Sequence, residues 1–124
     1  MKHLPIALTV IILLVATMLA QGPPAPYSVN LTWTLSSSPA STIAGYNVYR
    51  ATYTTSCGAF SKITSTPLGN TVTAFNDPSV QAGSAYCYAE TALGTDGAES
   101  GFGNVVQDVQ IPPAPPTNGT AQVT

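Results

Sequence analysis

The sequence predicts an all-β fold, an antiparallel sandwich built from residues 27–111. Apolar and polar residues alternate with period two over several short segments, which is the pattern of strands with one buried face. Turn-forming residues separate these segments at intervals of roughly 8 to 12 residues, a spacing typical of sandwiches. Of the 124 residues, 44% are hydrophobic and 6% are charged, so the chain is long and apolar enough for one core. We therefore expect one domain without a helix.

The first predicted strand covers residues 27–34 and shows the alternation most clearly. Val29, Leu31 and Trp33 lie on one face, and the intervening residues are polar. A proline-containing loop at 36–42 follows. This strand is therefore expected to be half-buried, with Trp33 facing the core.

Five further strands are predicted. The second covers 43–50, and the strand at 85–93 is the most aromatic. The others lie at 60–64, 71–76 and 104–111, and the connections between strands lie at 52–59, 67–70, 77–84 and 94–103. The inward faces give the predicted core: Trp33, Tyr46, Val48, Tyr86 and Tyr88.

Four motifs occur in the order of one known family. Leu31-Thr32-Trp33 is a strand carrying a core tryptophan, residues 45–50 read GYNVYR, and residues 80–86 read VQAGSAY, a turn that ends on a tyrosine. The fourth motif is Glu99-Ser100 followed by Asn-Val-Val at 104–106. Residues 28–111 therefore resemble a fibronectin type III domain. The resemblance implies an immunoglobulin-like sandwich, and by analogy of fold alone an interaction or spacer module without catalysis.

The sequence departs from the family pattern in two places. The family's first strand should precede Ser28, but only a proline-rich segment stands there. The position beside the family's second strand, which is the strand of Leu31 and Trp33 in this sequence, is therefore expected to be empty. Glu90 falls where the alternation from Tyr86 and Tyr88 predicts an inward apolar residue. That carboxylate is expected to be hydrogen-bonded, protonated or displaced by a bulge, with the Tyr46 hydroxyl as one partner.

The amino terminus has the pattern of an export signal. Met1-Lys2-His3 precedes an apolar run that ends at Ala20, so residues 1–20 are predicted to be a signal peptide or an uncleaved anchor. Residues 21–26 form a proline-rich spacer. The protein is therefore predicted to be secreted, periplasmic or at the cell surface, with membrane attachment only through an uncleaved amino-terminal segment.

The two cysteines, Cys57 and Cys87, are expected to form one disulfide in an oxidising compartment. In the proposed fold they lie near one end of the same sheet, with Cys87 on its outer face. A redox or metal-binding pair is the alternative, but the two cysteines lack CxxC spacing, and the sequence has no histidine beyond residue 20.

Charge and residue types exclude several function classes. Beyond residue 20 the chain has two cationic and five acidic side chains, a net charge of −3, which is unsuited to nucleic acid. Without a mature histidine, Ser-His-Asp catalysis is not expected, and no cofactor is predicted. Asp96-Gly97 and Glu99 are compatible with a loop calcium site, but a tight Asp-Gly turn explains them more simply.

The carboxyl-terminal tail carries a second proline-rich segment at 112–116. Residues 117–124 then resemble the opening strand of another such domain. The chain is expected to begin and end at opposite poles, which would favour donation of this strand to the next molecule. The leading prediction is a module for an unknown protein or glycan ligand. The alternatives are a fibre subunit that self-associates head to tail, and a carbohydrate-binding module that uses Tyr49, Tyr53 and Phe60.

Overall fold

The computed structural model describes residues 27–124. The predicted signal peptide or anchor (1–20) and the proline-rich spacer (21–26) lie outside the described residues. No helix within 27–124 is long and apolar enough to cross a membrane. The strands are β1 (Val29–Thr32), β2 (Ile43–Thr52), β3 (Ser61–Lys62), β4 (Leu68–Gly69), β5 (Ala74–Asp77), β6 (Ala85–Gly94) and β7 (Val106–Gln110), with one 3-10 turn at Ala40–Thr42.

These strands form two antiparallel sheets. The smaller sheet pairs β1 with β5, and the larger has the order β3-β2-β6-β7, with β4 also paired to β2. The fold is therefore the predicted antiparallel, immunoglobulin-like sandwich. Within the described residues the smaller sheet has only two strands, which agrees with the missing first strand.

The core lies between the sheets and follows the alternation of β2 and β6. Val48 and Tyr88 are completely buried, and Tyr46 and Tyr86 are nearly so. Leu31, Val80 and Ile111 close the cluster from the smaller sheet and the connecting segments. Full burial of each such side chain stabilises the fold by roughly 1.5–3 kcal/mol, so this cluster is the main source of stability.

The turn before β6 has the geometry that the sequence motif predicts. The Tyr86 hydroxyl accepts a hydrogen bond from the Gln81 backbone N–H at 3.0 Å, five residues upstream. Gly83 has a φ of 75°, a conformation that residues with a side chain rarely adopt. This is the tyrosine corner of immunoglobulin-like sandwiches, and it fixes the start of β6.

Several strand ends differ by a few residues from the prediction, and two features were not predicted at all. The predicted turn at 67–70 contains β4, which pairs with β2 where a Cβ atom on Gly45 would collide with the backbone carbonyl of Leu68. The last strand carries a bulge, because Tyr86 and Tyr88 pair with Val109 and Val106, respectively. A two-residue strand shows no periodicity, so β4 leaves no pattern in the sequence.

Within the described residues, the sandwich begins and ends at the same pole, so the expectation of opposite poles is wrong. The Tyr27 hydroxyl donates a hydrogen bond to the Pro113 carbonyl at 3.3 Å. Each strand carries the chain from one pole to the other, so omission of the first strand moves the start of the domain to the pole where β7 ends.

Candidate functional site

One edge of β1 is open within the described part of the chain. The Trp33 backbone N–H donates to the Thr73 carbonyl at 2.9 Å, next to the paired positions of β1 and β5. Hydrogen-bonded pairs alternate along an antiparallel ladder, so the backbone groups of Asn30 and Thr32 point away from β5. No described strand lies on that side, and this edge is therefore able to accept a strand.

A cleft of about 590 Å³ lies beside this edge. It separates the end of β1 from β6 and from the segment that leads into β7, where the resemblance places the first strand. Its lining combines aromatic, small and polar groups, and includes Trp33, Tyr46, Glu90, Gly103, Asn104 and Val106.

Trp33 is half-buried rather than a fully buried core residue. Its ring packs against the core cluster and lies 6.0 Å from the ring of Tyr46. Its indole nitrogen is buried but has no hydrogen-bond partner among the described residues. Buried donors are nearly always paired, so this nitrogen is an exception among the described residues.

Glu90 lies in the same cleft and is half-buried. It pairs with Val48 in an unbroken stretch of the β2–β6 ladder, so no bulge displaces it from the inward face. The Tyr46 hydroxyl accepts a bond from the Ser36 N–H at 2.8 Å. Burial raises the pKa of Glu90, an effect that its own backbone N–H partly offsets.

The outer face of the larger sheet carries a second surface, formed by three aromatic rings. Tyr49 lies 5.2 Å and Phe60 lies 4.8 Å from the ring of Phe102, measured between centroids. Of the predicted surface aromatics, the structure thus brings Tyr49 and Phe60 together. Tyr53 makes no ring contact with them and instead bridges to Cys57 through the backbone. Phe102 was not predicted because it lies in the glycine-rich loop, where no alternation marks it.

Glu99 adjoins this aromatic surface and is held by three donors. It accepts hydrogen bonds from Tyr49 at 2.6 Å, from Asn47 at 3.1 Å and from the Thr91 hydroxyl. The bonds from Thr91 and Tyr49 lower the pKa of Glu99, and the bond to Glu99 raises the pKa of Tyr49. The carboxylate positions the loop over the sheet.

The Asp96-Gly97 pair forms a tight turn. Asp96 accepts the Ala98 N–H at 3.0 Å, and Gly97 has a φ of 85°. In residues 27–124 there is no group of three or more His, Cys, Asp or Glu side chains placed to hold a metal ion.

The structure contains the disulfide between Cys57 and Cys87, whose Cα atoms are 5.9 Å apart. Cys87 alternates with the inward Tyr86 and Tyr88, so it lies on the outer face, yet it is completely buried. The connection between β2 and β3 covers it, because Cys57 holds that segment against the sheet.

An ion pair between Arg50 and the buried carboxylate of Asp77 crosses the sandwich at the end of β2 that lies next to the disulfide. Asp77 accepts hydrogen bonds from Arg50 and from the Tyr88 hydroxyl, both at 2.8 Å, and from Ser79. Burial alone would raise the pKa of Asp77, but the bonds from Ser79, Tyr88 and Arg50 outweigh it and hold that pKa below its usual value. The bonds to Arg50 and Tyr88 join the smaller sheet to the larger one.

Comparisons with known proteins support the fold. No family model matches the chain, and no curated protein matches it either. A solved structure described as an Fn3-like protein from Clostridium thermocellum is similar, with a TM-score of 0.50 and 26% sequence identity. The match covers 67% of this chain and 76% of that one. The chain is thus similar in fold to fibronectin type III-like proteins.

Proposed function

We propose that the protein is an exported, non-catalytic interaction module. It binds an extended segment of a partner polypeptide, which pairs as an added strand with the free edge of β1. The observation that carries the proposal is the outward direction of the Asn30 and Thr32 backbone groups. An extended segment bound there would gain main-chain hydrogen bonds, and its alternate side chains would select the partner.

The cleft supports this mode of binding. A strand beside β1 would cover Trp33 and Val106, of which Val106 is 47% exposed. Covering both side chains would remove apolar surface from water, which favours association.

The predicted compartment agrees with this role. The disulfide is typical of proteins in oxidising surroundings, and the apolar amino terminus is typical of export. We therefore propose that the protein works outside the cytoplasm, as a secreted, periplasmic or surface protein. The proline-rich segments at 21–26 and 112–116 also suit a module that spaces its neighbours.

The proposal is tested by NMR titration with a peptide of four valine-threonine repeats flanked by lysines. A proline-for-valine version with the same lysines is the control. The proposal expects the amides of Asn30 and Thr32 to shift with the first peptide only, and the amide of Leu31, already paired with β5, to change least. Shifts confined to the surface around Phe102, or no shifts, would reject strand addition at β1.

A second candidate function is carbohydrate binding, favoured by the convergence of Tyr49 and Phe60 on Phe102, which is 44% exposed. Aromatic rings beside a hydrogen-bonding carboxylate such as Glu99 are suited to stacking on sugar faces. The rings are tilted by 53–59° to one another rather than coplanar, which makes this the weaker candidate. A glycan array with the protein and its Phe102→Ala variant tests this candidate. Carbohydrate binding requires that the protein bind specific glycans and that the variant lose this binding.

A further inference from the structure

We infer that the strand received by β1 is residues 117–124 of a second copy of this chain, inserted antiparallel to β1, so that molecules assemble head to tail. The inference rests on the proposed function, because it names the partner of the same edge. Four properties of the tail and the cleft carry it.

The first property is the strand pattern of the tail. Ala121 and Val123 alternate with Thr120, Gln122 and Thr124, which gives one small apolar face and one polar face. Every residue from 112 to 124 is exposed, and Val123 has no protection from solvent at all, with a relative exposure of 104%. The tail thus has the pattern of a half-buried strand but buries nothing within its own molecule.

The second property is direction. β7 descends to the pole where Tyr27 contacts Pro113, and β1 ascends from that same pole. To reach its own β1, the tail would have to reverse at the proline-rich segment 112–116 and then run parallel to β1. Successive prolines favour an extended polyproline conformation, which resists such a reversal. A tail that continues away from its domain instead meets the far pole of a neighbour and descends antiparallel to the neighbour's β1.

The third property is length. Residues 112–116 span about 15 Å in polyproline geometry. The eight residues that follow span about 26 Å as a strand, more than the length of β1. The first segment is therefore long enough to separate two domains, and the second to line the whole open edge.

The fourth property is charge. Residues 117–124 contain no charged side chain. The cleft is lined by one carboxylate, that of Glu90, and by two residues without side chains, Gly101 and Gly103. An uncharged strand with small inward side chains enters such a cleft without burying a second charge, which would be costly.

Two variants of the protein, produced without residues 1–20, separate the donor from the acceptor. Val123→Asp places a charge on the inward face of the tail, and Gln122→Asp places the same charge on the outward face as its matched control. Thr32→Pro removes a backbone N–H that β5 does not use, and Thr32→Ala retains it. The measurement is sedimentation velocity over a concentration series, with circular dichroism to check that each variant is folded.

The inference predicts that the wild-type protein, Gln122→Asp and Thr32→Ala assemble as concentration rises, and that Val123→Asp and Thr32→Pro stay monomeric. An equal mixture of the two monomeric variants should form a heterodimer of twice the monomer mass, because one supplies the edge and the other the tail. Val123→Asp lies in an exposed tail, so its result does not depend on the folding of the domain.

Three results would overturn the inference. If the wild-type protein stays monomeric at about 1 mM, its tail does not act as a donor strand. Assembly of Val123→Asp to the wild-type extent means that another segment is the donor. If the mixture forms no heterodimer although both variants are folded, the tail is not the strand that pairs with β1. Strand addition at β1 would still stand in each case if the valine-threonine peptide shifts Asn30 and Thr32, so the two proposals fail separately.

Discussion

Asp77 and Glu90 are both inward carboxylates, but their surroundings shift their pKa values in opposite directions. Asp77 accepts bonds from Arg50, Tyr88 and Ser79, which favour its charged form. Glu90 has burial without such donors, which favours its neutral form. The two residues therefore contribute to stability in different pH ranges.

For Asp77→Asn, we expect the free energy of unfolding at pH 7 to fall by about 2 kcal/mol, since Arg50 would lose its partner. The folded pKa of Asp77 lies below the unfolded value of about 3.9. Its contribution is therefore present above that value and is lost as the pH falls through the folded pKa. Urea unfolding at pH 7 and pH 3 should show the difference from wild type shrinking in acid. Asp108→Asn, at an exposed position, is the control and should leave the free energy of unfolding at pH 7 unchanged. An equal loss for Asp77→Asn at both pH values would contradict the account.

For Glu90→Gln the sign is reversed. The folded pKa of Glu90 lies above its unfolded value, so its contribution is present below about pH 4.3 and is lost as the pH rises through the folded pKa. At pH 7 the substitution should raise the free energy of unfolding by about 0.5 kcal/mol, and near pH 4 the gain should vanish. Glu99→Gln should instead destabilise the protein at pH 7, because its pKa is lowered. A Glu90→Gln variant less stable than wild type at pH 7 would show that the carboxylate has a partner that the structure does not contain.

At the scale of the elements, two connections cover the outer face of the larger sheet. The disulfide holds the connection between β2 and β3, and Glu99 holds the loop that leads into β7. Ala51 and Ala89 are buried on this outer face, so the sheet has a second, thinner hydrophobic layer. The same two connections bring Phe60 and Phe102 together.

The disulfide prediction follows from loop length. Cys57 and Cys87 are 30 residues apart, and closure of such a loop stabilises the fold by roughly 3.5 kcal/mol on the chain-entropy model. We expect the double variant Cys57→Ala/Cys87→Ala to lose about 2–4 kcal/mol in urea unfolding. Reduction of the wild-type protein should cause a similar loss and have no effect on the variant. A double variant as stable as wild type would mean that packing alone holds the connection to the sheet.

Elements with periodic side chains were predictable, and elements without them were not. β1, β2 and β6 follow directly from alternation around Leu31, Val48 and Tyr88. Phe102 lies in a loop, so only the fold brings it to Tyr49. Trp33 was predicted as a core residue from the alternation along β1 and from its motif, but it is only half-buried, because no described strand covers the open edge beside it.

At the scale of the whole molecule, the absence of a first strand from residues 27–124 explains three observations. It leaves the edge of β1 open, it leaves Trp33 half-covered beside a cleft, and it brings Tyr27 next to Pro113 at one pole. The sequence predicts the missing strand, because only a proline-rich segment precedes Ser28. The expectation that the domain begins and ends at opposite poles was wrong, since the pole at which it begins depends on the number of strands that cross the sandwich.

Amide hydrogen exchange at Asn30 and Thr32, measured over a range of protein concentrations, tests the central claim most directly. An open edge that receives a strand from another molecule predicts fast exchange at both amides in dilute protein and slower exchange as concentration rises. Leu31, paired with β5, should be protected throughout. Protection of Asn30 and Thr32 at the lowest concentration would mean that the molecule covers the edge itself, and fast exchange at every concentration would mean that no second copy binds there.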